Sequence, residues 1–148
     1  MKILPLVFLT LLFTSPFCYS LDISDRTHDI FVCAKAQPYI KDLTSWLVAN
    51  FRIVERTERK IIEPRPRVQG SPNLAKLTKA RPLRFSFLVA VVVGSDGAVS
   101  DAHIISSSDA TTNQKMKEAA EKWTFVPGKV DNKRATFLYT CDYQIEIQ

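Results

Sequence analysis

Residues 83–107 read LRFSFLVAVVVGSDGAVSDAHIISS, a pattern that predicts two strands joined by a tight turn. Segment 83–93 is apolar at odd and at even positions, which is typical of a strand covered on both faces and therefore central in its sheet. Gly94-Ser95-Asp96-Gly97 is a strong hairpin-turn signal. The return strand, 98–106, alternates apolar residues with Asp101 and His103. The sequence thus predicts an antiparallel hairpin whose first strand lies inside the sheet.

A helix and a third strand follow. Ser106 to Asp109 suit a helix start, and the helix at about 111–123 carries one apolar stripe. Segment 135–147 alternates, with Cys141 on its apolar face. The wet face is predicted to carry Leu138, Thr140, Asp142, Gln144 and Glu146. A helical connection makes the second and third strands parallel, with the first between them. We therefore expect an α+β fold with a three-stranded mixed sheet of order 2-1-3, and the last strand at its edge.

The exit of this helix has an unusual sequence, KWTFVPGKVDNKRATF, at residues 122–137. Trp123 and Phe125 are expected to lock the end of the helix onto the sheet. Pro127-Gly128 then redirects the chain into a polar turn around Asp131-Asn132. A structural role for this aromatic pair is favoured over ligand stacking.

The N-terminal half is predicted to form a helical arm, residues 21–63. Ile40, Leu43, Leu47 and Phe51 recur at helical spacing, so 28–51 is interpreted as helix, with Pro38 as a kink or a second start. Four Pro and Gly residues then interrupt segment 52–72, which is typical of a linker. The helices are expected to pack on one face of the sheet.

The first twenty residues have the layout of a secretory signal peptide: Lys2, an apolar run from Ile3 to Phe13, and a cut after Ser20. An uncleaved membrane anchor is the alternative. Cleavage leaves Cys33 and Cys141, and an even count in an oxidising compartment predicts a disulfide between them. Two buried thiols are the other interpretation.

Positive charge is concentrated in one segment. The chain carries 20 Lys and Arg against 15 Asp and Glu, and segment 52–84 alone holds ten of the basic residues against three acidic ones. Arg65 and Arg67 lie in its middle. Such a segment favours an acidic partner, an anionic lipid or a cell-wall polymer. A merely solvated face is the alternative, and the lack of interleaved aromatic residues disfavours nucleic acid.

The residues FLVAVVVGSDGAVSDAHIISSS, followed by AAEKWTFVPGKVDNKRATF, resemble the C-terminal domain of TonB-like proteins of the Gram-negative periplasm. The resemblance covers about residues 64–147, and the domain is drawn at 64–148. The chain departs from that family in having a charged, helical segment where the family has a proline-rich spacer, and it is therefore interpreted as a stand-alone exported member. The resemblance implies the binding mode of that family, in which an extended partner segment joins the sheet at the last strand.

Two functions from different classes follow. The first is a non-enzymatic periplasmic module that captures a strand of an outer-membrane receptor or another periplasmic protein at the edge of its last strand. The second is an exported inhibitor or immunity-type protein that blocks a toxin or hydrolase through the basic segment. The open edge also permits strand exchange into a dimer.

Catalysis and metal binding are disfavoured. Asp101, His103 and Ser106 to Ser108 are close in sequence, but no nucleophile elbow accompanies them. His28, His103, Cys33 and Cys141 lack metal-ligand spacing. No cofactor, metal or nucleic acid is expected.

Overall fold

The computed structural model describes residues 28–47, 49–54, 58–74, 76 and 83–147. The predicted signal peptide, residues 1–20, lies outside them. In the part of the chain that is described, no helix has the length and apolarity needed to cross a membrane. The elements are β1 His28–Val32, a 3₁₀ helix Ala34–Tyr39, α1 Ile40–Leu47, β2 Phe51–Val54, β3 Ile61–Ile62, β4 Arg65–Val68, β5 Leu83–Val93, β6 Val99–Ser107, a 3₁₀ turn Ala110–Thr112, α2 Asn113–Ala120, β7 Thr124–Val126, β8 Lys129–Val130, β9 Lys133–Arg134 and β10 Phe137–Ile147.

Among the described residues, the main sheet has five strands in the order β2-β1-β10-β5-β6. Its last three members keep the predicted order, since β5 lies between β6 and β10 and is antiparallel to both. The prediction of a three-stranded sheet is nevertheless wrong. The N-terminal segment adds β1, which is parallel to β10, and β2, which is parallel to β1. The described segments also form two smaller sheets, β3-β8-β9 and β4-β7.

The predicted helix over 28–51 is correct only for α1. Residues 28–32 form a strand because Ile30, Phe31 and Val32 are buried between β10 and β2, where an extended backbone finds partners on both sides. Pro38 lies inside a 3₁₀ helix, so it neither kinks nor starts the α-helix. The boundary between arm and domain at residues 63 and 64 stays a prediction, although strands from both sides of it share the sheet.

The two α-helices cover opposite faces of the sheet, so the prediction that they share a face is wrong. Leu43 and Leu47 of α1 pack with Ala90 and Val92 of β5 in one apolar cluster. Met116 and Ala120 of α2 belong to a second cluster, with the odd-numbered residues of β5. Because β5 is apolar at both parities, each face needs its own cover.

The exit of α2 is fixed by contacts to two distant segments. Trp123 and Phe125 are buried in the α2-side cluster, and Trp123 Nε1 donates a hydrogen bond of 2.9 Å to the carbonyl of Gly70. The amide of Phe125 donates to the carbonyl of Gly97, at 2.8 Å, in the hairpin turn between β5 and β6. Asp96 caps that turn, because its Oδ1 accepts from the amide of Ala98 at 3.0 Å. The aromatic pair therefore holds the helix end against the sheet.

Candidate strand-binding edge

Strand β10 has one long paired side and one side that is covered only at its start. On the first side, β5 pairs with all of it, from Phe137 opposite Val93 to Ile147 opposite Leu83. On the other side, β1 pairs only with Phe137 and Leu138. The prediction that the last strand is an edge strand is therefore wrong for these two residues. Among the described segments, no strand pairs with residues 139–147 on that side.

The uncovered side presents backbone groups at alternate residues. The carbonyls of Thr136 and Leu138 accept hydrogen bonds from the β1 side, from the amides of Phe31 at 2.9 Å and Cys33 at 3.0 Å. Because successive residues of a strand turn their N–H and C=O groups to opposite sides, every even-numbered residue of β10 faces away from β5. We call this open stretch, residues 140–147, the β10 edge. Its amides and carbonyls are arranged as the template for one more strand.

The side chains predicted to bind a partner divide into two groups. Leu138 is 0% exposed and Thr140 is 1% exposed, so neither side chain is available at the surface. Their burial corrects the prediction of one wet face along the whole strand. The reason is that α1 and its cluster cover the even-numbered face of the sheet at the start of β10. Asp142, Gln144 and Glu146 lie beyond this cover and are exposed.

Glu146 already has a partner on the neighbouring strand. Its Oε1 lies 3.5 Å from a guanidinium nitrogen of Arg84, the residue opposite it on β5. An exposed pair of this kind contributes little to stability. Because Glu146 is paired with Arg84, Asp142 and Gln144 are the exposed side chains of the β10 edge that have no ion pair to β5. A hollow of about 290 Å³ adjoins them, lined by Ser86, Phe87, Leu88, Ser106, Ser107, Ser108, Asp142 and Gln144.

The opposite face of β10 is held by the chain between β4 and β5. The Tyr143 hydroxyl lies 2.8 Å from Ser71 Oγ and donates to the carbonyl of Gln69 at 3.2 Å. Its ring packs on Trp123, with ring centroids 5.2 Å apart. These contacts fix the middle of β10 although its outer side has no strand partner among the described residues. The edge is therefore a preformed surface.

Arg65 and Arg67 do not lie on the β10 edge. Both are exposed on β4, which pairs with β7 in a separate two-stranded sheet. Of the other basic residues in segment 52–84, Arg52 binds Asp29, with Nε 2.7 Å from Oδ1. Arg56, Lys79 and Arg81 lie outside the described residues. The structure thus separates the two predicted binding elements onto different sheets.

The predicted disulfide between Cys33 and Cys141 is not formed in the structure, where both side chains are thiols. Cys33 belongs to the cluster under α1, whereas Cys141 packs against the cluster under α2. A bond between them would have placed the N-terminal helix on the Cys141 side of the sheet. α1 covers the other face instead, and the two thiols pack against clusters on opposite sides of the sheet.

Burial raises the pKa of the Cys141 thiol to about 11, and a weak contact from Gln69 Nε2 at 3.8 Å opposes this only in part. A raised pKa means that the folded state keeps its proton while the unfolded chain loses it. This contribution to stability is complete below pH 9 and is lost as the pH rises towards 11.

We expect the alkylation rate of Cys141 to keep rising about tenfold per pH unit from pH 8 to 10 in the folded protein, because the thiolate is the reactive form. In urea, where the chain is unfolded and the thiol has its ordinary pKa of 9.0, the alkylation rate should level off near pH 9. Mass spectrometry of the Cys141 peptide after timed iodoacetamide treatment measures both. A folded-state plateau near pH 9 would contradict the burial of this thiol.

Asp101 and His103 are used in helix packing. Trp46 Nε1 donates to Asp101 Oδ2 at 3.0 Å, and the Trp46 ring stacks on His103, with centroids 5.2 Å apart. This link between α1 and β6 was not predicted, although Trp46 stands beside the apolar stripe of α1. Within the described segments, no three His, Cys, Asp or Glu side chains are grouped so that they could hold a metal ion.

The sequence matches no known protein family and no curated protein. Among solved structures, the chain is similar to the solution NMR structure of the TonB C-terminal domain of Pseudomonas aeruginosa. The two are 18% identical, the match covers 58% of this chain and 86% of that one, and the TM-score is 0.41. At this level of similarity the chain is not assigned to a family.

Proposed function

We propose that this chain is a non-enzymatic periplasmic binding module that captures an extended strand of a partner protein along the β10 edge. The observation that supports it is the one-sided pairing of β10: β5 covers its whole length, and β1 covers only two residues of the other side. The resemblance noted in the sequence implies the same binding mode.

Main-chain hydrogen bonds would supply much of the affinity in such a complex. An added strand meets the outward N–H and C=O groups of Thr140, Asp142, Gln144 and Glu146. These residues lie on a strand that is fixed from behind by Tyr143, so little ordering of the edge is needed on binding. Preorganisation of this kind favours capture of a flexible segment.

Side chains at alternate positions of the partner strand would determine the specificity of binding. Thr140 is buried and Glu146 is paired with Arg84, so Asp142 and Gln144 offer the acceptors and donors that remain at the surface. The adjoining hollow is lined by four serines, Ser86, Ser106, Ser107 and Ser108. A partner strand with polar or basic side chains at the matching positions fits this surface best.

The replacement Gln144→Pro tests the main-chain contribution. Proline removes the N–H of residue 144, which points away from β5. The hydrogen bonds between β10 and β5 are kept, because the odd-numbered residues of β10 make them. Gln144→Ala is the matched control, because it removes the side chain and keeps the N–H. We expect Gln144→Pro to weaken partner binding at least tenfold, as the loss of one buried hydrogen bond and the misfit of the ring predict. Gln144→Ala should change it about threefold or less.

The experiment starts from proteins captured by the chain from a periplasmic extract. A peptide from the identified partner is then titrated onto the isotope-labelled wild-type protein and onto both variants. Amide shifts concentrated in residues 138–147, and lost only in Gln144→Pro, agree with strand capture. Equal binding by both variants contradicts it. Shifts that cluster around Arg65 and Arg67, with the β10 edge unchanged, would instead favour the inhibitor or immunity-type function.

A further inference from the structure

A second surface lies away from the β10 edge, beside the hairpin of β8 and β9. It is a hollow of about 380 Å³ with an apolar floor and a charged rim. Phe31, Val130 and Ala135 form the floor, and Arg59, Asp131, Lys133 and Arg134 form the rim. Three cations around an apolar floor suit a ligand that is anionic at one end and apolar at the other.

The backbone under the rim is fixed. Asp131 and Asn132 both have positive φ, 51° and 66°, which gives a tight two-residue turn between the short strands. The turn is joined to the segment before β3 by two hydrogen bonds: the Asp131 amide donates to the Lys60 carbonyl at 2.9 Å, and the Lys60 amide donates to Asp131 Oδ1 at 3.1 Å. Arg59 is therefore held across the hollow from Lys133 and Arg134.

Positive charge dominates this region. Arg59, Lys60, Lys129, Lys133 and Arg134 are all exposed, and all fall within two short segments. Against them stand Glu58, which is exposed, and Asp131, whose carboxylate is engaged by the Lys60 amide. Asp29 of β1 is nearby but is bound by Arg52 at 2.7 Å. The hydrogen bond from Arg52 lowers the pKa of Asp29, and the charges of Arg52 and then Arg59 lower it further.

An exposed apolar side chain accompanies the cations. Ile62 is 46% exposed and lies opposite Lys129 on β8, which in turn lies opposite Arg134 on β9. Residues directly opposite each other in a sheet share a face, so Ile62, Lys129 and Arg134 form one row, and Ile61, Val130 and Lys133 form a row on the other face. Val130 belongs to the floor of the hollow, so Ile62 lies on the other face of this small sheet and does not line the hollow.

We propose that this hollow binds the phosphodiester headgroup of an anionic phospholipid at a membrane surface. The guanidinium groups of Arg59 and Arg134 would bind the phosphate oxygens, because a planar fork of donors matches them. Lys133 adds charge at the rim of the hollow, and Lys129 adds charge on the other face of the hairpin. This surface is separate from the β10 edge, so a bound lipid would leave strand capture unhindered.

Soluble short-chain lipids test the position of the site. The isotope-labelled full chain is titrated with monomeric dihexanoyl phosphatidylglycerol, with dihexanoyl phosphatidylcholine and with inorganic phosphate. We expect amide shifts at residues 59–62 and 129–135 with phosphatidylglycerol, and much smaller ones with the zwitterionic lipid. Equal effects of the two lipids, or shifts elsewhere, would overturn the proposal. Binding of inorganic phosphate as tight as that of phosphatidylglycerol would overturn the lipid assignment.

Vesicle binding tests the charges. Each cation near an anionic surface is worth about fivefold in affinity, so Lys133→Gln with Arg134→Gln should weaken binding to vesicles containing phosphatidylglycerol on the order of 25-fold. Lys115→Gln with Lys122→Gln is the matched control, since these exposed lysines lie on and beside α2, which covers the opposite face of the main sheet. The apolar run of residues 3–13 is common to every variant, so the comparison isolates the rim. Equal loss in both pairs, or no loss in either, would overturn the proposal.

Discussion

Replacing Gly97 with alanine is expected to lower the free energy of unfolding by about 3 kcal/mol, because it combines backbone strain with a steric clash. Gly97 has φ of 84°, in the left-handed region that side chains disfavour. A Cβ atom there would also overlap the carbonyl oxygen of Phe125 and approach Pro127 Cδ at 3.3 Å. The overlapped atom is backbone, so it cannot move aside as a flexible side chain can.

The clash also acts on the exit of α2. The Phe125 amide donates to the Gly97 carbonyl, so a shift of the turn between β5 and β6 disturbs the segment that carries Trp123 and Phe125. Urea unfolding followed by tryptophan fluorescence measures the loss. Gly70→Ala is the matched control, because nothing lies within 4 Å of the added atom; it should change stability by less than about 0.5 kcal/mol. Similar losses in both variants would show that the contact with Phe125 is unimportant.

The sequence predicted the hairpin turn but not its contact with Phe125. A turn is encoded locally, by Asp96 and Gly97, and needs no knowledge of the rest of the chain. The contact joins two segments that are far apart in sequence, and no local pattern reports it. The same holds for Trp123, whose burial was predicted and whose hydrogen bond to Gly70 was not.

The position of β5 was predictable because its sequence is apolar at both parities. The N-terminal region was misinterpreted for a related reason. Ile40, Leu43 and Leu47 have true helical spacing, but only the tertiary partners of residues 28–32 show that this stretch is extended. A short apolar run such as Ile30 to Val32 fits a strand or a helix equally well from its pattern alone.

The same limit applies to the β10 edge. Alternation along residues 135–147 predicted the exposure of Asp142, Gln144 and Glu146. The same alternation wrongly predicted that Leu138 and Thr140 are exposed. How far α1 and β1 extend over β10 depends on the fold of the N-terminal half, which the alternation does not report. The cationic rim was missed in part because Lys133 and Arg134 lie outside the basic segment 52–84 and join Arg59 only through strand pairing.

Replacing Ile30 with alanine is expected to destabilise the whole described sheet by about 3 kcal/mol, the usual cost of a cavity at a fully buried position. Ile30 is 0% exposed and lies in the middle of β1, between β10 and β2. Its cluster includes Ala90 and Val92 of β5 and Leu138 of β10. If the predicted arm, residues 21–63, folded independently of 64–148, this change would leave the stability of 64–148 unaltered.

A single reporter decides between these outcomes. In a Trp46→Phe background, Trp123 is the remaining tryptophan, and it lies in the α2-side cluster, on the face opposite to that of α1. Cooperative folding of one sheet requires that Ile30→Ala shift the urea midpoint seen by Trp123 as much as the midpoint seen by circular dichroism. His28→Ala serves as the control, because His28 is exposed on the same strand. If Ile30→Ala left the Trp123 transition unchanged, β1 and α1 would unfold independently of the rest of the sheet. Unfolding of β1 would then also expose the first two residues of β10, Phe137 and Leu138, to partners.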